Sequence, residues 1–165
     1  MRFSFAAPQR VEFGPGVSTE VPVWAAKLGT RACLVTGAAV ERTAWLERGL
    51  ADQGLQPVRV VVVREPDTEA VTLAVAQARH AGCDVVVSCG GGSVLDAGKA
   101  VAALVPNPRP IMEYLEVVGQ GLPLEARPLP HLALPSTAGT GSEATANAVL
   151  VSYQHRVKVS LRSPS

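Results

Sequence analysis

Three consecutive glycines, Gly90-Gly91-Gly92, stand between the apolar run Asp84-Val85-Val86-Val87-Ser88-Cys89 and a segment of helical character from Ser93 to Leu104. A buried strand that ends in residues without side chains and then opens a helix leaves backbone N–H groups unpaired. They sit at the positive end of the helix dipole, where a phosphate is well received. A second loop, Pro135-Ser136-Thr137-Ala138-Gly139-Thr140-Gly141-Ser142-Glu143, follows another apolar strand, His131 to Leu134, and adds hydroxyls and further glycines. The pair of loops points to a dinucleotide site.

The rest of the chain repeats the same alternation of apolar runs and helical-period segments, which is the pattern of an α/β fold with an open parallel sheet and flanking helices. Arg31 to Thr36 predicts a strand, and Val40 to Gln53 a helix with Ala44, Leu46 and Leu50 turned inward and Gly54 at its end. Pro57 to Val63 predicts the next strand. Asp67 or Thr68 can cap a helix over Thr68 to Ala81, whose Val71, Ala74, Val75 and Ala78 share one face before Gly82. The proline-rich stretch from Pro106 to Pro130 predicts an irregular crossing with one helical turn at Ile111 to Leu115. Thr145 to Tyr153 and Val157 to Arg162 predict a hairpin, and Phe3–Phe5 with Val11–Phe13 a further strand pair closed by Gly14-Pro15-Gly16.

With 165 residues, 47% of them hydrophobic, the chain has material for one domain with a real core. Its net charge of +1 and the absence of any basic run longer than two residues argue against nucleic acid or an anionic membrane as partner. Apolar stretches fall short of a membrane span, and Met1-Arg2-Phe3 does not begin a signal peptide, so the expectation is a cytoplasmic protein. Cys33, Cys83 and Cys89 form no CxxC pair and lie in or beside apolar strands, as buried free thiols do. His80, His131 and His155 lack the one-turn spacing that puts two imidazoles on a metal, so no metal site is expected here.

Two familiar motifs nearly match and fail. Gly98-Lys99 looks like the end of a P-loop, but Ser93 stands where its first glycine belongs and Ala100 where its Ser/Thr belongs. Gly139 to Ala144 fits G-x-G-x-x-A, yet strand-like residues follow and no acidic residue lies about twenty positions on. Each loop alone could be no more than a tight turn whose hydroxyls satisfy backbone. Their joint value comes from position, because ligands of open α/β sheets bind beyond the carboxyl ends of the strands, and both loops follow strands. Ser93, Ser136, Thr137, Thr140 and Ser142 then offer neutral donors to phosphate or ribose oxygens. Asp96, one turn into the helix, can accept from a ribose or substrate hydroxyl or merely complement the helix dipole. Lys99 can be a solvated side chain or the intrahelical partner of Asp96.

GGGSVLDAGKA at 90–100 followed by PSTAGTGSEAT at 135–145 resembles the iron-containing alcohol dehydrogenase family. VEFGPG at 11–16, VTG at 35–37, Glu65-Pro66 and KVSLRSP at 158–164 extend the resemblance along the chain. It implies a Rossmann-like nucleotide-binding domain over residues 1–165, of the kind that dehydroquinate synthase shares. The family's C-terminal helical domain, whose Asp and three His hold a divalent metal (iron or zinc), is absent from this chain. It further implies that Gly91, Gly92 and Ser93 hold the pyrophosphate of NAD or NADP, and that Thr137, Thr140 and Ser142 line the way to the nicotinamide. Asn147 and Lys158 are implied as polar cofactor contacts, and Asp96 as the carboxylate near ribose and substrate. Where the family often carries an aspartate for the adenosine ribose, this chain has Gly37. NADP is therefore expected to be accepted at least as well as NAD.

The activity implied is hydride transfer between NAD(P) and a small alcohol or aldehyde, with the chain supplying the cofactor half and inactive alone. Two alternatives remain at this point: a stand-alone nucleotide-binding module without chemistry, and the domain of a dehydroquinate-synthase-like lyase. Self-association into a homo-oligomer is left open.

Overall fold

The computed structural model describes residues 8–162. Four strands, β1 (Ala32–Gly37), β2 (Val58–Val62), β3 (Val85–Gly90) and β4 (His131–Pro135), form one sheet in the order β2-β1-β3-β4. Every neighbouring pair is parallel. The strands alternate their side chains between two cores, as the period-2 geometry requires. Ala32, Leu34, Val85 and Val87 face α1 (Val21–Ala26) and α2 (Ala44–Asp52), packing on Val21, Ala25, Leu46 and Leu50. Cys33, Val35 and Val86 face α3 (Thr68–His80) and α4 (Gly92–Leu104).

Nine of the thirteen residues of α4 are buried, and this follows from its position between two layers. The sheet covers one side. On the other lies a separate antiparallel hairpin, β5 (Asn147–Ser152) with β6 (Val157–Arg162), which lays Ala148, Leu150, Val159 and Leu161 into the same core. Gly98 lets helix and sheet meet: a Cβ there would stand 2.8 Å from Ser88 Cβ and 2.8 Å from His131 Nε2. The hairpin is also tied to the β2–α3 turn, where the Val151 N–H donates to the Pro66 carbonyl at 2.9 Å.

Most boundaries follow the sequence pattern. Asp67 is the cap of α3, accepting from the Ala70 N–H at 2.7 Å, and Val71, Ala74, Val75 and Ala78 are its buried face. The single helix expected over Val40 to Gln53 is instead a 3₁₀ turn, Val40–Thr43, followed by α2. Thr43 breaks it, its hydroxyl bonded to the Val40 carbonyl and to the Arg59 guanidinium. Leu46 and Leu50 are buried as expected, whereas Ala44 is half-buried. Val11–Phe13 is not a strand: it pairs with nothing among the described residues, and Phe13 is fully exposed. Its suggested partner, Phe3–Phe5, lies outside the described residues. The crossing from Pro106 to Pro130 is irregular apart from α5 (Ile111–Tyr114). The three cysteines are free, Cys33 and Cys83 buried and Cys89 half-buried. Among the described residues no helix is long and apolar enough to cross a membrane.

Candidate functional site

The two glycine loops leave the sheet side by side. Gly90 and Pro135 are register partners at the ends of β3 and β4, and the Ser136 N–H donates to the Gly90 carbonyl at 2.8 Å. Gly91 is the N-cap of α4 and no side chain caps that end; the Val94 N–H turns back to the Gly91 carbonyl at 2.9 Å, which leaves the Gly92 and Ser93 N–H groups open. Thr137 and Thr140 stand over the triplet: a Cβ on Gly91 would lie 3.2 Å from Thr137 Oγ1, and one on Gly92 3.3 Å from Thr140 Cβ. Gly37 ends β1, the neighbour of β3, and opens on the same edge with nothing closer than 4.0 Å to the position of a Cβ. Gly139 and Gly141 shape the second loop with φ of +91° and +66°, conformations that other residues adopt only under strain.

The side of the site nearer the hairpin is charged. Asp96 Oδ1 accepts from Ser142 Oγ at 2.6 Å and from Lys99 Nζ at 2.8 Å. A small cleft beside it is lined by Ser93, Asp96, Val149, Val151, Glu65 and Lys158. Lys158 Nζ donates to Glu65 Oε1 at 2.6 Å across that cleft, both side chains more than half exposed. Asn147, at the start of β5, keeps its Oδ1 buried with no hydrogen-bond partner among the described residues.

Gly37, Gly91, Gly92, Ser93, Asp96, Thr137, Thr140 and Ser142 are thus gathered at one sheet edge, with Lys158 across the adjoining cleft. Lys99 departs from the expectation of a solvated side chain: only 16% of it is exposed. It is the partner of Asp96, and it also donates to the Ser142 carbonyl at 2.9 Å, to Thr145 Oγ1 at 3.2 Å and to the Asn147 carbonyl. These acceptors arrive from more than forty residues away, so helical spacing reveals only the bond to Asp96.

Arg59 is a residue that pattern reading passes over. It donates to Thr36 Oγ1 at 3.0 Å, Thr43 Oγ1 at 2.8 Å and Glu47 Oε2 at 2.8 Å, holding the turn that follows Gly37 against the sheet. A lone cation inside a run of valines was the available signal. Beneath the site, Ser88 Oγ and His131 Nε2 lie 2.6 Å apart, joining the strands that feed the two loops. Burial, helped by the charge of Lys99, pushes the pKa of this imidazole down to about 4, so the ring is neutral at ordinary pH. Burial alone pushes the Cys89 thiol up, which keeps it protonated.

A parallel α/β sheet with a glycine-lined, uncapped helix N-terminus at its carboxyl edge, faced by a hydroxyl-rich second loop, is a Rossmann-like architecture, the class in which nucleotides are received at that edge. Residues 8–165 match the iron-containing alcohol dehydrogenase family, and the chain belongs to it. A mitochondrial hydroxyacid-oxoacid transhydrogenase of Caenorhabditis briggsae is 33% identical over 163 residues, covering 92% of this chain and 34% of that protein. The crystal structure of a 1,3-propanediol oxidoreductase superposes with a TM-score of 0.87 at 28% identity, over 99% of this chain and 43% of that one. A sulfoacetaldehyde reductase from Bifidobacterium kashiwanohense, solved in complex with NAD+, gives 0.83 at 29% identity, over 99% and 43% of the two chains. The chain therefore spans between a third and a half of the length of these relatives.

Proposed function

We propose that this chain is the dinucleotide-binding half of an oxidoreductase that moves a hydride between NAD(P) and a small alcohol or aldehyde. The observation that carries the reading is the convergence of the two loops over an uncapped thirteen-residue helix. The glycines keep that space clear, and the hydroxyls of Thr137 and Thr140 border it. A dinucleotide fits this donor set.

In this reading the N–H groups of Gly92 and Ser93 and the hydroxyls of Ser93, Thr137 and Thr140 bind the pyrophosphate. The helix dipole adds about 0.3–1 kcal/mol. Asp96, with one oxygen committed to Ser142 and Lys99, offers the other to a ribose or substrate hydroxyl. Lys158 supplies a cation once Glu65 releases it. The bound nicotinamide carries the hydride; the protein's part is to hold and orient it. At the other end Gly37 provides neither a carboxylate for the ribose 2′-hydroxyl nor a charge against a 2′-phosphate, so both NAD and NADP are admitted. The family name implies iron, but among the described residues no three His, Cys, Asp or Glu side chains gather to hold a metal, so these residues do not fit one. Cytoplasmic residence remains part of the proposal.

Titration of NADH and NADPH fluorescence against the purified chain tests the reading. Binding of both is expected, and Gly91→Val, whose branched side chain would fill the cradle beside Thr137, should abolish it while leaving the circular dichroism spectrum unchanged. Equal affinity in that variant would remove the loop from the site.

A further inference from the structure

The second loop is exposed from Ser136 to Thr140 and again from Glu143 to Ala146, with Ser142 buried between the two stretches. Beyond Ser136, whose N–H donates to the Gly90 carbonyl, its backbone bonds are local, such as the Ala144 N–H to the Gly141 carbonyl at 3.0 Å. What draws its second half inward is one ammonium. Lys99 Nζ gathers the carbonyls of Ser142, Thr145 and Asn147, the Thr145 hydroxyl and the Asp96 carboxylate. Several carbonyl dipoles aimed at one point repel one another unless a cation sits there, and a half-buried site raises both the repulsion and its relief. The ammonium is thus placed as a metal ion would be in a carbonyl cage, except that it is covalently part of α4, the helix whose N-terminus forms the other half of the site.

We infer that Lys99 is a positioning residue: its charge holds the loop from Ser142 to Asn147 on α4, and through it keeps Thr137, Thr140 and Ser142 over the glycine triplet in the shape that receives the dinucleotide. The inference rests on the proposed cofactor reading for its ligand and on the hydrogen bonds alone for its mechanism. Asp96 has the matching part, because the oxygen that takes Lys99 also takes the Ser142 hydroxyl, so helix, cation and loop close a ring of charge-assisted bonds. Arginine is a poor substitute, since its planar fork cannot direct donors toward acceptors converging from several sides.

The test compares wild type, Lys99→Met, Lys99→Arg and Lys99→Ala by peptide-resolved hydrogen exchange and by NADH and NADPH titration. In Lys99→Met, exchange in peptides covering 136–147 should rise at least about tenfold, with peptides over β1 and β3 unchanged, and affinity should fall about tenfold, the scale of one lost charge-assisted bond. Lys99→Arg should fold and fall between the two, which keeps the test open if the neutral variants are unstable. Methylammonium should restore loop protection and affinity in Lys99→Ala without affecting wild type. Wild-type loop exchange in Lys99→Met, or faster exchange spread evenly over the whole chain, would overturn the clamp. A loosened loop that binds dinucleotide as well as wild type would overturn the positioning role while leaving the cofactor reading intact. If wild type binds neither dinucleotide, the cofactor reading falls and takes the positioning role with it, and exchange alone decides the clamp.

Discussion

The two loops of the site are built on opposite plans. Gly90 to Ser93 take their shape from the backbone on either side: a strand pinned between two neighbours enters, a buried helix leaves, and Val94 fills the space beside Gly90. Thr137 to Ala146 have no such frame. Two glycines at positive φ bend that loop, and side-chain bonds from Lys99 and Asp96 hold it. A phosphate cradle gains from being rigid before the ligand arrives, because pre-aligned N–H groups need no reorganisation. The hydroxyl-bearing loop above it can follow a ligand, because a loop held by a few polar bonds has that freedom.

Acidification should break the foundation common to both loops, with the largest effect expected. The folded chain keeps His131 neutral down to about pH 4, whereas the ring in the unfolded chain protonates near 6.5. Between these values the unfolded state binds the extra proton, so stability falls as pH is lowered from about 6.5 to about 4, by about 3 kcal/mol, and this contribution changes no further below. Asp84 acts lower still. Burial opposes its charge, but hydrogen bonds from Arg31 and Thr30 outweigh it and hold the carboxyl below its usual range. Its contribution is present above the ordinary carboxylate pKa and is lost as pH falls through the lowered one. Urea unfolding across pH 3.5–7.5 checks the profile, and His131→Gln should flatten its upper part.

Gly98→Ala should cost somewhat less, about 1–3 kcal/mol, because the added methyl meets Ser88 and His131 at 2.8 Å and must push α4 off the sheet. Alanine's better helix propensity, worth up to about 1 kcal/mol, works against this and is not enough. Both loops should lose dinucleotide affinity together, since α4 underlies each. A stable variant with unchanged affinity would show that the helix can shift without disturbing either.

The next effect separates the loops. Gly139→Ala and Gly141→Ala each force a side chain into left-handed backbone, at about 1–2 kcal/mol if the loop kept its shape. A loop held by so few bonds should relax instead, so global stability should drop by less than about 1 kcal/mol while affinity falls severalfold. Thermal unfolding and NADH titration together decide. A full stability loss would mean that the second loop is as stiff as the first.

The same contrast explains what the sequence discloses. Strand, glycine triplet and helix are contiguous, and burial on both sides writes itself as Val85-Val86-Val87 and as the small, apolar run of α4, so the first loop is legible from local pattern. The convergence of the second loop rests on adjacent parallel strands, which the rule on carboxyl ends anticipates. Lys99 reaching the Asn147 carbonyl, Arg59 holding Thr43, and Glu65 meeting Lys158 join residues 48, 16 and 93 positions apart. Such bonds depend on where long side chains meet after packing, and no periodicity encodes them. Val11–Phe13 failed for a related reason: alternation over three residues shows a face without showing a partner.

The smallest expected effect bears on the cleft between the loops and the hairpin. Glu65 and Lys158 are both more than half exposed, so their ion pair should add less than about 0.5 kcal/mol to stability, and Glu65→Gln should unfold much as wild type does. Its influence on an anionic ligand is another matter. In wild type the carboxylate occupies Lys158 Nζ at 2.6 Å and places a negative charge where the cleft meets Ser93. Removing that charge frees the ammonium and ends the repulsion, so dinucleotide affinity should rise about two- to fivefold at low salt and converge with wild type as screening sets in. Lys158→Met should lose affinity under the same conditions, and the double variant should regain only the part owed to the lost repulsion, because Glu65 then has no cation left to release. Weaker binding by Glu65→Gln would instead make Glu65 a direct acceptor for a ligand hydroxyl, and the cleft a part of the site as settled in its shape as the glycine cradle.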